Sequence, residues 1–358
     1  MEDVAKTVVE VKNLKITFRL PTGDVHAIRG VDLTLHENEV LALVGESGCG
    51  KSVCVKTLMG ILPANAVVES GEILFYDEGE TVDLLGMKES LRRKTINGIK
   101  IAMVFQDPMT SLNPTMTIGS QMIAALRAHS AMPKKAAYAR GVELLREVGI
   151  TDPARTMGQY PHQLSGGMRQ RVVIAIALSQ DPKVLICDEP TTALDVTIQE
   201  RILELLQNIQ RSRGLSIIFI THNLGVVSKI SDTVAVMYAG KVIELGSVFD
   251  IFYDPRHPYT WGLLSAVPEM SGEKGELYSI PGTPPDLSKE IVGDAFAPRN
   301  PYALAVDFKA EPPLFKLSET HYAATWLADP RAPKTDIPPE LAARIERMKQ
   351  EAKDYAEG

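Results

Sequence analysis

Cysteine is scarce in this chain, at 3 of 358 residues. Cys49, Cys54 and Cys187 have neither the paired spacing of a zinc site nor that of a disulfide framework. Their positions predict small buried thiols, a use of cysteine that is typical of a reducing, cytoplasmic setting. The scarcity argues against a disulfide-stabilised secreted domain and against a cysteine-bound metal.

The chain also lacks long apolar runs and an excess of positive charge. No apolar stretch approaches the ~20 residues that a transmembrane helix needs, and residues 1–6 are not the apolar start of a signal peptide. If the protein works at a membrane, we expect other chains to span it. The formal net charge of −7 argues against a surface built to hold nucleic acid, so we expect no nucleic-acid partner.

The most informative motif that is present occupies residues 45–52. It has the P-loop pattern G-x-x-x-x-G-K-[ST] and lies between an apolar run at 40–44 and a predicted helix at 51–62. Glycine amides in such a loop surround phosphates, Lys51 is predicted to reach the β- and γ-phosphates, and Ser52 to bind Mg²⁺. The predicted nucleotide contacts here are Gly45, Glu46, Ser47, Gly48, Cys49, Gly50, Lys51, Ser52 and Val53.

A second phosphate-binding pattern lies far along the chain, at residues 164–170. Ser165, Gly166 and Gly167 come where a helix is predicted to begin, so further backbone amides point at an anion. One nucleotide rarely needs two such sites from one chain. We therefore expect each site to face a nucleotide that a different subunit holds.

Polar side chains follow three other apolar runs. Asp188 and Glu189 follow the run 184–187; Asp188 can hold Mg²⁺ through water and Glu189 can polarise the attacking water. His222 and Gln106 likewise come just after apolar runs. Because α/β sheets keep their ligands at the carboxyl ends of the strands, we predict that His222 contacts the γ-phosphate and that Gln106 contacts Mg²⁺ or the attacking water.

Short apolar runs that do not alternate predict an α/β fold, with a parallel sheet covered on both faces. A helix with apolar residues at i, i+3, i+4 and i+7 from Ile202 lies between two of these runs, which indicates right-handed crossovers. The region 107–163 has no strong strand signal and predicts helices at 118–128 and 134–148.

The two ends of the chain differ from this middle. Residues 8–18 and 71–85 predict antiparallel strands, with a turn near 77–80. Proline becomes frequent after residue 246, which predicts an irregular extension. Residues 339–358 predict a polar, exposed helix.

Taken in order, the motifs resemble those of the ATP-binding cassette (ABC) ATPases over roughly residues 7–245. The resemblance implies an ABC nucleotide-binding domain at 1–245: a P-loop NTPase with a RecA-like parallel-sheet core, an antiparallel β subdomain and a helical subdomain at about 107–165. It implies that Phe18 stacks on adenine and that Asp195, in a D-loop at 193–195, lines a dimer interface. Asn223 stands where the family usually has aspartate, and we attach no loss of function to that.

The resemblance also implies what the two phosphate-binding patterns do. Members of the family form head-to-tail dimers in which ATP lies between the P-loop of one subunit and the signature, here 164–170, of the other. Ser165, Gly166 and Gly167 would then bind the γ-phosphate in trans. Hydrolysis removes the bridging charge, so the dimer can open.

The extension sharpens the expected substrate. Residues 254–260 and 280–285 resemble the C-terminal region of oligopeptide and dipeptide permease ATPases. This implies an extension at 246–330, a helical tail at 331–358 and an ATPase that drives oligopeptide uptake from the cytoplasmic face of the membrane. The implied partners are a second ABC ATPase subunit in a heterodimer, two transmembrane permease subunits and an extracellular peptide-binding protein.

One departure from that family concerns an iron–sulfur cluster. Many members carry four cysteines in the extension, and the matching positions here are Asp294, Asn300, Asp307 and Thr325. Cluster ligation requires thiolates. We therefore expect no iron–sulfur cluster, and we expect ATP and Mg²⁺ as cofactors.

Three other functions compete with peptide import. A dipeptide or nickel importer is the nearer alternative. A soluble ABC ATPase acting on DNA or the ribosome would need a long coiled-coil insertion or a second cassette, neither of which the chain contains. A nucleotide-binding regulator without turnover would predict a degraded Glu189 or His222, and both are intact.

Overall fold

The computed structural model describes residues 6–192, 194–267 and 280–357. The predicted D-loop residue Ala193 and the acidic residues 1–5 lie outside the described residues. The strands are β1 (Thr7–Leu20), β2 (Gly23–His36), β3 (Val40–Val44), β4 (Ala66–Asp77), β5 (Glu80–Asp83), β6 (Ile101–Val104), β7 (Val184–Asp188), β8 (Ser216–Thr221), β9 (Thr233–Tyr238), β10 (Lys241–Ser247), β11 (Phe315–Lys316) and β12 (Tyr322–Ala323).

The helices alternate with these strands through the middle of the chain. They are α1 (Lys51–Met59), α2 (Glu89–Thr95), α3 (Pro108–Ser111), α4 (Ile118–Arg127), α5 (Lys134–Glu147), α6 (Pro153–Met157), α7 (Gly166–Ala177), α8 (Val196–Arg213), α9 (Leu224–Ile230), α10 (Val248–Tyr253), α11 (Pro258–Ser265) and α12 (Pro339–Glu357). Within the described residues, no helix combines the length and the apolar character that crossing a membrane requires.

The core is an eight-stranded sheet in the order β11-β12-β10-β9-β3-β8-β7-β6. Its five strands from β9 to β6 pair in parallel, and the predicted parallel sheet is confirmed. Every residue of β3, β7 and β8 is buried, because helices and the second sheet cover both faces. Parallel pairing brings the carboxyl ends of β3, β6, β7 and β8 to one edge, where polar residues follow each strand.

A second, antiparallel sheet of order β2-β1-β4-β5 packs over α1 and the core. The predicted turn lies at Asp77–Glu80, where β4 passes into β5. Strand β2 was not predicted. Its polar residues and Gly30, with φ of 104°, interrupt the alternation that would have signalled a strand.

The region between β6 and β7 is helical and contains no described strand, as predicted. Helices α4, α5 and α6 pack together through Met122, Leu144 and Met157, one from each helix, which are all buried. Gly119 allows the close approach, since a Cβ at this position would lie 2.6 Å from the carbonyl oxygen of Met157.

The extension is more ordered than proline content alone predicted. It begins with the helices α10 and α11, and β12 then pairs with β10 and so enlarges the core sheet. Tyr238 of the core contacts Tyr259 and Phe296 of the extension, with ring centroids 4.7 and 5.3 Å apart. An aromatic cluster thus joins the extension to the sheet.

The terminal helix α12 is present, but the prediction that it is exposed was wrong for one of its faces. Leu341 and Ile345 are buried, and they belong to the same cluster as Tyr259 and Phe296. Their spacing of four residues puts both on one helix face, which covers the aromatic cluster.

Candidate functional site

The P-loop follows β3 directly and leads into α1. Gly45 has a φ of 149°, and a Cβ there would lie 2.2 Å from the carbonyl oxygen of Met237 in β9. Gly50, with φ of 106°, occupies the position before the first turn of α1. Both positions require glycine, for steric and for conformational reasons. The loop therefore presents its backbone amides together with the amino terminus of a helix, an arrangement suited to phosphate.

Lys51 lies folded back along this loop. Its side chain is 5% exposed, and Nζ donates hydrogen bonds to the carbonyl oxygens of Gly45, at 2.8 Å, and Glu46, at 2.9 Å. These carbonyl oxygens are the partners that the ammonium group would exchange for phosphate oxygens. A buried cation beside the amides makes the loop a site for an anion.

Ser52 and Asp188 form a pair between α1 and the end of β7. Ser52 Oγ donates to Asp188 Oδ1 at 2.8 Å, and burial raises the pKa of the Asp188 carboxyl. Hydroxyl and carboxylate oxygens are ligands that Mg²⁺ accepts. Among the described residues, no group of three or more His, Cys, Asp or Glu side chains could hold a metal ion. The pair thus fits a Mg²⁺ that takes its other ligands from phosphate and water.

Glu189 is the centre of a second cluster at the same edge. Its carboxylate accepts hydrogen bonds from Gln106 Nε2 at 3.1 Å and Thr192 Oγ1 at 3.0 Å, and it lies 3.2 Å from His222 Nδ1. These partners follow β6, β7 and β8, so the sheet topology brings to Glu189 partners that are up to 83 positions away from it. Thr192 was not predicted, because a hydroxyl three residues after a carboxylate is common in turns.

The backbone of Glu189 is also unusual. Its φ is +47°, a left-handed conformation that is unfavourable for a residue with a Cβ. Its amide donates to the carbonyl oxygen of Ile220 at 3.0 Å, which ties the strained residue to β8. Strain of this kind concentrates at functional sites, where the surrounding structure holds it.

The signature residues lie at the start of α7. Ser165 is the N-cap, and its Oγ accepts from the amide of Met168 at 3.3 Å, while Ser165 and Gly166 are exposed. Gly167 is buried against α8, and a larger residue would not fit, because a Cβ there would lie 2.7 Å from Ile198 Cγ2. Asp195 caps α8 in the same way, with Oδ1 accepting from the amide of Ile198 at 3.0 Å. None of the hydrogen bonds found among the described residues joins 164–170 to the P-loop.

Two of the predicted nucleotide contacts lie apart from these clusters. Phe18 is half-buried in β1, opposite Val25 and Ala66, and its stacking on adenine stays a prediction. Val53 lies in the first turn of α1 and packs against the core beneath the antiparallel sheet.

The four positions that match cluster cysteines do not fit an iron–sulfur cluster. All four side chains are buried, and each accepts a hydrogen bond from a nearby backbone amide. Asp294 Oδ1 accepts from the amide of Phe296 at 3.0 Å, and Asn300 Oδ1 accepts from the amide of Tyr302 at 2.9 Å. Iron–sulfur ligation requires thiolates, whereas these oxygens are occupied by turns of the chain itself.

Two family models match the chain. The model described as ABC transporter matches residues 28–192, and the model described as oligopeptide/dipeptide transporter, C-terminal region, matches 243–306. The first match contains the P-loop, the signature and Glu189. The second contains α11 and the aromatic cluster of the extension.

Curated relatives match along nearly the whole chain. The oligopeptide transport ATP-binding protein OppD of Bacillus subtilis (strain 168) is 54% identical, and the match covers 95% of this chain and 94% of the relative. The dipeptide transport ATP-binding protein DppD of Lactococcus lactis subsp. cremoris (strain MG1363) is 53% identical, with 96% of this chain and 97% of the relative covered.

A solved structure supports the fold. The ATP-binding cassette MJ0796, in a dimeric post-hydrolysis state bound to ADP and Pi, has a TM-score of 0.59 and 27% identity, and the match covers 67% of this chain and 98% of that one. Fold, motif order and relatives agree. The chain belongs to the ABC transporter ATP-binding proteins of the oligopeptide/dipeptide transporter family.

Proposed function

We propose that this chain binds and hydrolyses ATP to drive the uptake of oligopeptides across the cytoplasmic membrane. The observation that carries the proposal is the convergence of Gln106, Thr192 and His222 on the Glu189 carboxylate, beside the Ser52–Asp188 pair. A phosphate-binding loop next to a positioned carboxylate is what nucleotide hydrolysis requires.

The roles of the residues follow from their geometry. Amides of the loop 45–50, other than that of Glu46, which donates to the Tyr259 hydroxyl, bind the phosphates together with the Lys51 ammonium. Lys51 gives up its bonds to the carbonyl oxygens of Gly45 and Glu46 for phosphate oxygens. Ser52, Asp188 and Gln106 are the proposed metal-binding side chains; Mg²⁺ neutralises charge on the phosphates when it is bound. Glu189 orients and polarises the attacking water, and His222 contacts the γ-phosphate.

Gln106 connects this chemistry to the helical region. Its side chain reaches Glu189, and α3 begins two residues later at Pro108. Met109, on α3, is 60% exposed. A change at the γ-phosphate can therefore alter the position of an exposed, partly apolar surface that suits docking on a permease subunit.

The signature is proposed to act on ATP that a second ABC ATPase subunit holds. Ser165 and Gly166 present the exposed amino terminus of α7, and their side of the molecule makes no hydrogen bond to the P-loop within the described residues. The remaining proposed partners are two transmembrane permeases and an extracellular peptide-binding protein, with the chain peripheral at the cytoplasmic face and free of nucleic acid. The proposed cofactors are ATP and Mg²⁺, without an iron–sulfur cluster.

The test of the composite site is Ser165→Ala. We expect ATP binding by the isolated chain to stay within about two-fold of wild type, and hydrolysis by the assembled transporter to fall roughly 100-fold. Ser247→Ala is the matched control, because Ser247 caps α10 through the same kind of bond to an N3 amide. Loss of ATP binding by the isolated Ser165→Ala chain would refute the trans assignment.

The substrate needs a separate experiment, since a dipeptide transport protein is nearly as similar to this chain as an oligopeptide transport protein. We would purify the transporter with its native partner chains and measure ATP hydrolysis with added oligopeptides, dipeptides or Ni²⁺. Stimulation by oligopeptides is expected. Stimulation by dipeptides or Ni²⁺ alone would reassign the substrate while leaving the ATPase role intact.

A further inference from the structure

The C-terminal extension contacts the P-loop at one acidic residue, Glu46. Arg299 Nη1 donates to Glu46 Oε2 at 2.7 Å, and Nη2 donates to Glu46 Oε1 at 3.0 Å. The Arg299 side chain is 5% exposed and that of Glu46 is 28% exposed. Two parallel hydrogen bonds between a guanidinium and a carboxylate fix both position and orientation.

Both members of this pair are held from further sides. Arg299 Nε donates to the carbonyl oxygen of Pro281 at 2.8 Å, and Nη1 lies 3.2 Å from the hydroxyl of Tyr238. The backbone amide of Glu46 donates to the hydroxyl of Tyr259, in α11, at 2.8 Å. Thus Glu46, the second residue of the P-loop, is bound to the extension twice: its side chain to Arg299 and its backbone amide to Tyr259.

The extension also borders the space beside the loop. A cavity of about 220 Å³ is lined on one side by residues 46–49 and on another by Pro284, Pro285 and Leu287. The carbonyl oxygen of Leu287 accepts from the amide of His26 at 2.9 Å, which anchors this wall to β2. The extension is therefore close to any ligand that occupies the P-loop.

The charge of Glu46 creates a problem that the pair solves. The loop must bind the phosphates of ATP, and a carboxylate in the same loop repels them at short range. Lys51 is bonded to the carbonyl oxygens of Gly45 and Glu46, so it does not neutralise the Glu46 carboxylate directly. Arg299 neutralises the Glu46 carboxylate directly, from the side of the loop that the extension covers.

We propose that Arg299 is a positioning residue for phosphate binding, which neutralises Glu46 and holds its carboxylate against the extension. This inference rests on the proposed function, since it takes ATP as the ligand. Arg299 acts through Glu46 and does not itself touch the nucleotide. The extension is accordingly a working part of the ATP site.

The test measures equilibrium binding of ATP and ADP, with Mg²⁺, to the full chain and to charge variants. Arg299→Gln leaves Glu46 unpaired, and we expect about a ten-fold loss of ATP affinity and a smaller loss for the less charged ADP. Adding Glu46→Gln to Arg299→Gln removes the repelling charge, and we expect affinity to return to within about three-fold of wild type. A purely structural role would not be rescued by this second change.

Arg256→Gln is the matched control, because Arg256 forms an exposed ion pair with Asp254 in the same extension. It should not change ATP affinity. Arg299→Lys keeps the charge but loses one of the two parallel hydrogen bonds, and it covers the case in which Arg299→Gln does not fold; it should lose less ATP affinity than the about ten-fold expected for Arg299→Gln.

Four results would overturn the inference: unchanged affinity in Arg299→Gln, equal losses for ATP and ADP, absence of rescue by Glu46→Gln, or a loss in a folded Arg299→Lys as large as that expected for Arg299→Gln. Absence of ATP binding in the wild-type chain is a different result. It would overturn the proposed function together with the ligand assumed here.

Discussion

Polar side chains gather in two regions of this protein, and the two groups are used in opposite ways. At the carboxyl edge of the core sheet, Glu189 is bonded to Gln106 and His222, which come from other strand ends. In the extension, buried side chains such as Asp294 and Asn300 are bonded to backbone amides two residues further along. The first group joins distant elements, and the second closes local turns.

The difference distinguishes side chains that can bind a ligand, at the sheet edge, from side chains that stabilise the fold, in the extension. Bonds between side chains of different elements can be exchanged for a ligand without unfolding any of those elements. A side chain that caps its own turn has no such freedom, because losing the bond leaves a buried amide unsatisfied. We therefore expect changes at the sheet edge to affect hydrolysis and changes in the extension to affect stability, apart from Arg299.

The largest expected effect is that of Glu189→Gln. The amide keeps the size of the side chain but cannot polarise water, so hydrolysis should fall on the order of 10³-fold. ATP binding should remain, so that closed dimers accumulate. Steady-state ATPase assays of the transporter, with size-exclusion chromatography in ATP, measure both effects.

Glu204→Gln serves as the control, because Glu204 is an exposed glutamate on the following helix α8. It should hydrolyse ATP at the wild-type rate. Wild-type turnover in Glu189→Gln would remove Glu189 from its role and would leave the cluster around it without a catalytic explanation.

The same contrast explains how far the sequence could predict this structure. The P-loop, Asp188, Glu189, Gln106 and His222 could be predicted to lie together because each lies at or just after the end of an apolar strand, and parallel strands end at one edge. That is a local pattern with a global consequence. The contact of Thr192 with Glu189 could not be predicted in this way, because Thr192 does not end a strand. Nothing in the sequence indicates the left-handed backbone of Glu189.

Contacts between distant parts of the chain were not predicted. Glu46 and Arg299 are 253 residues apart, and neither residue type nor spacing indicates their pairing. Proline content does not reveal the helices α10 and α11, because Pro258 lies in the first turn of α11, where proline is tolerated. The buried face of α12 depends on an aromatic cluster that only the fold assembles.

The next largest effect tests whether the extension and the core unfold together. Phe296 is 2% exposed and contacts Tyr238 of the core and Tyr259 of α11. Phe296→Ala should lower the free energy of unfolding by about 3–4 kcal/mol, through lost burial and a cavity. Urea denaturation followed by circular dichroism measures this, and one cooperative transition is expected because the cluster spans both regions.

Phe308→Ala is the comparison for this variant, because Phe308 is in the same extension but is 54% exposed. It should change the free energy of unfolding by less than about 0.5 kcal/mol. A separate early transition in Phe296→Ala that leaves the core transition unmoved would show that the two regions are stabilised independently.

The smallest effect concerns the charge of Asp294. Burial raises the pKa of this carboxyl to about 6, against the hydrogen bond from the Phe296 amide, which lowers it. The carboxylates of Asp307 and Glu311 add to the rise, and the charge of Arg29 opposes it. Asp294→Asn keeps an oxygen that accepts from the amide of Phe296 but carries no charge. It should therefore raise the free energy of unfolding by about 3 kcal/mol at pH 7.5.

The sign of the pH dependence makes this prediction specific. Between the unfolded pKa of about 3.9 and the folded value of about 6, the folded wild-type chain binds the proton more tightly than the unfolded chain. Wild-type stability from this group is thus present at low pH and is lost as the pH rises through about 6, so the advantage of Asp294→Asn should shrink towards zero near pH 4. Asp286→Asn is the control. The exposed Asp286 also accepts from the amide two residues further along, that of Ser288, but its bonds to Ser288 lower its pKa, so this variant should gain no stability at pH 7.5.

Denaturation of both variants at pH 7.5 and pH 4 measures these changes in the free energy of unfolding. An Asp294→Asn gain that is equal at the two pH values would show that the buried charge is not its cause.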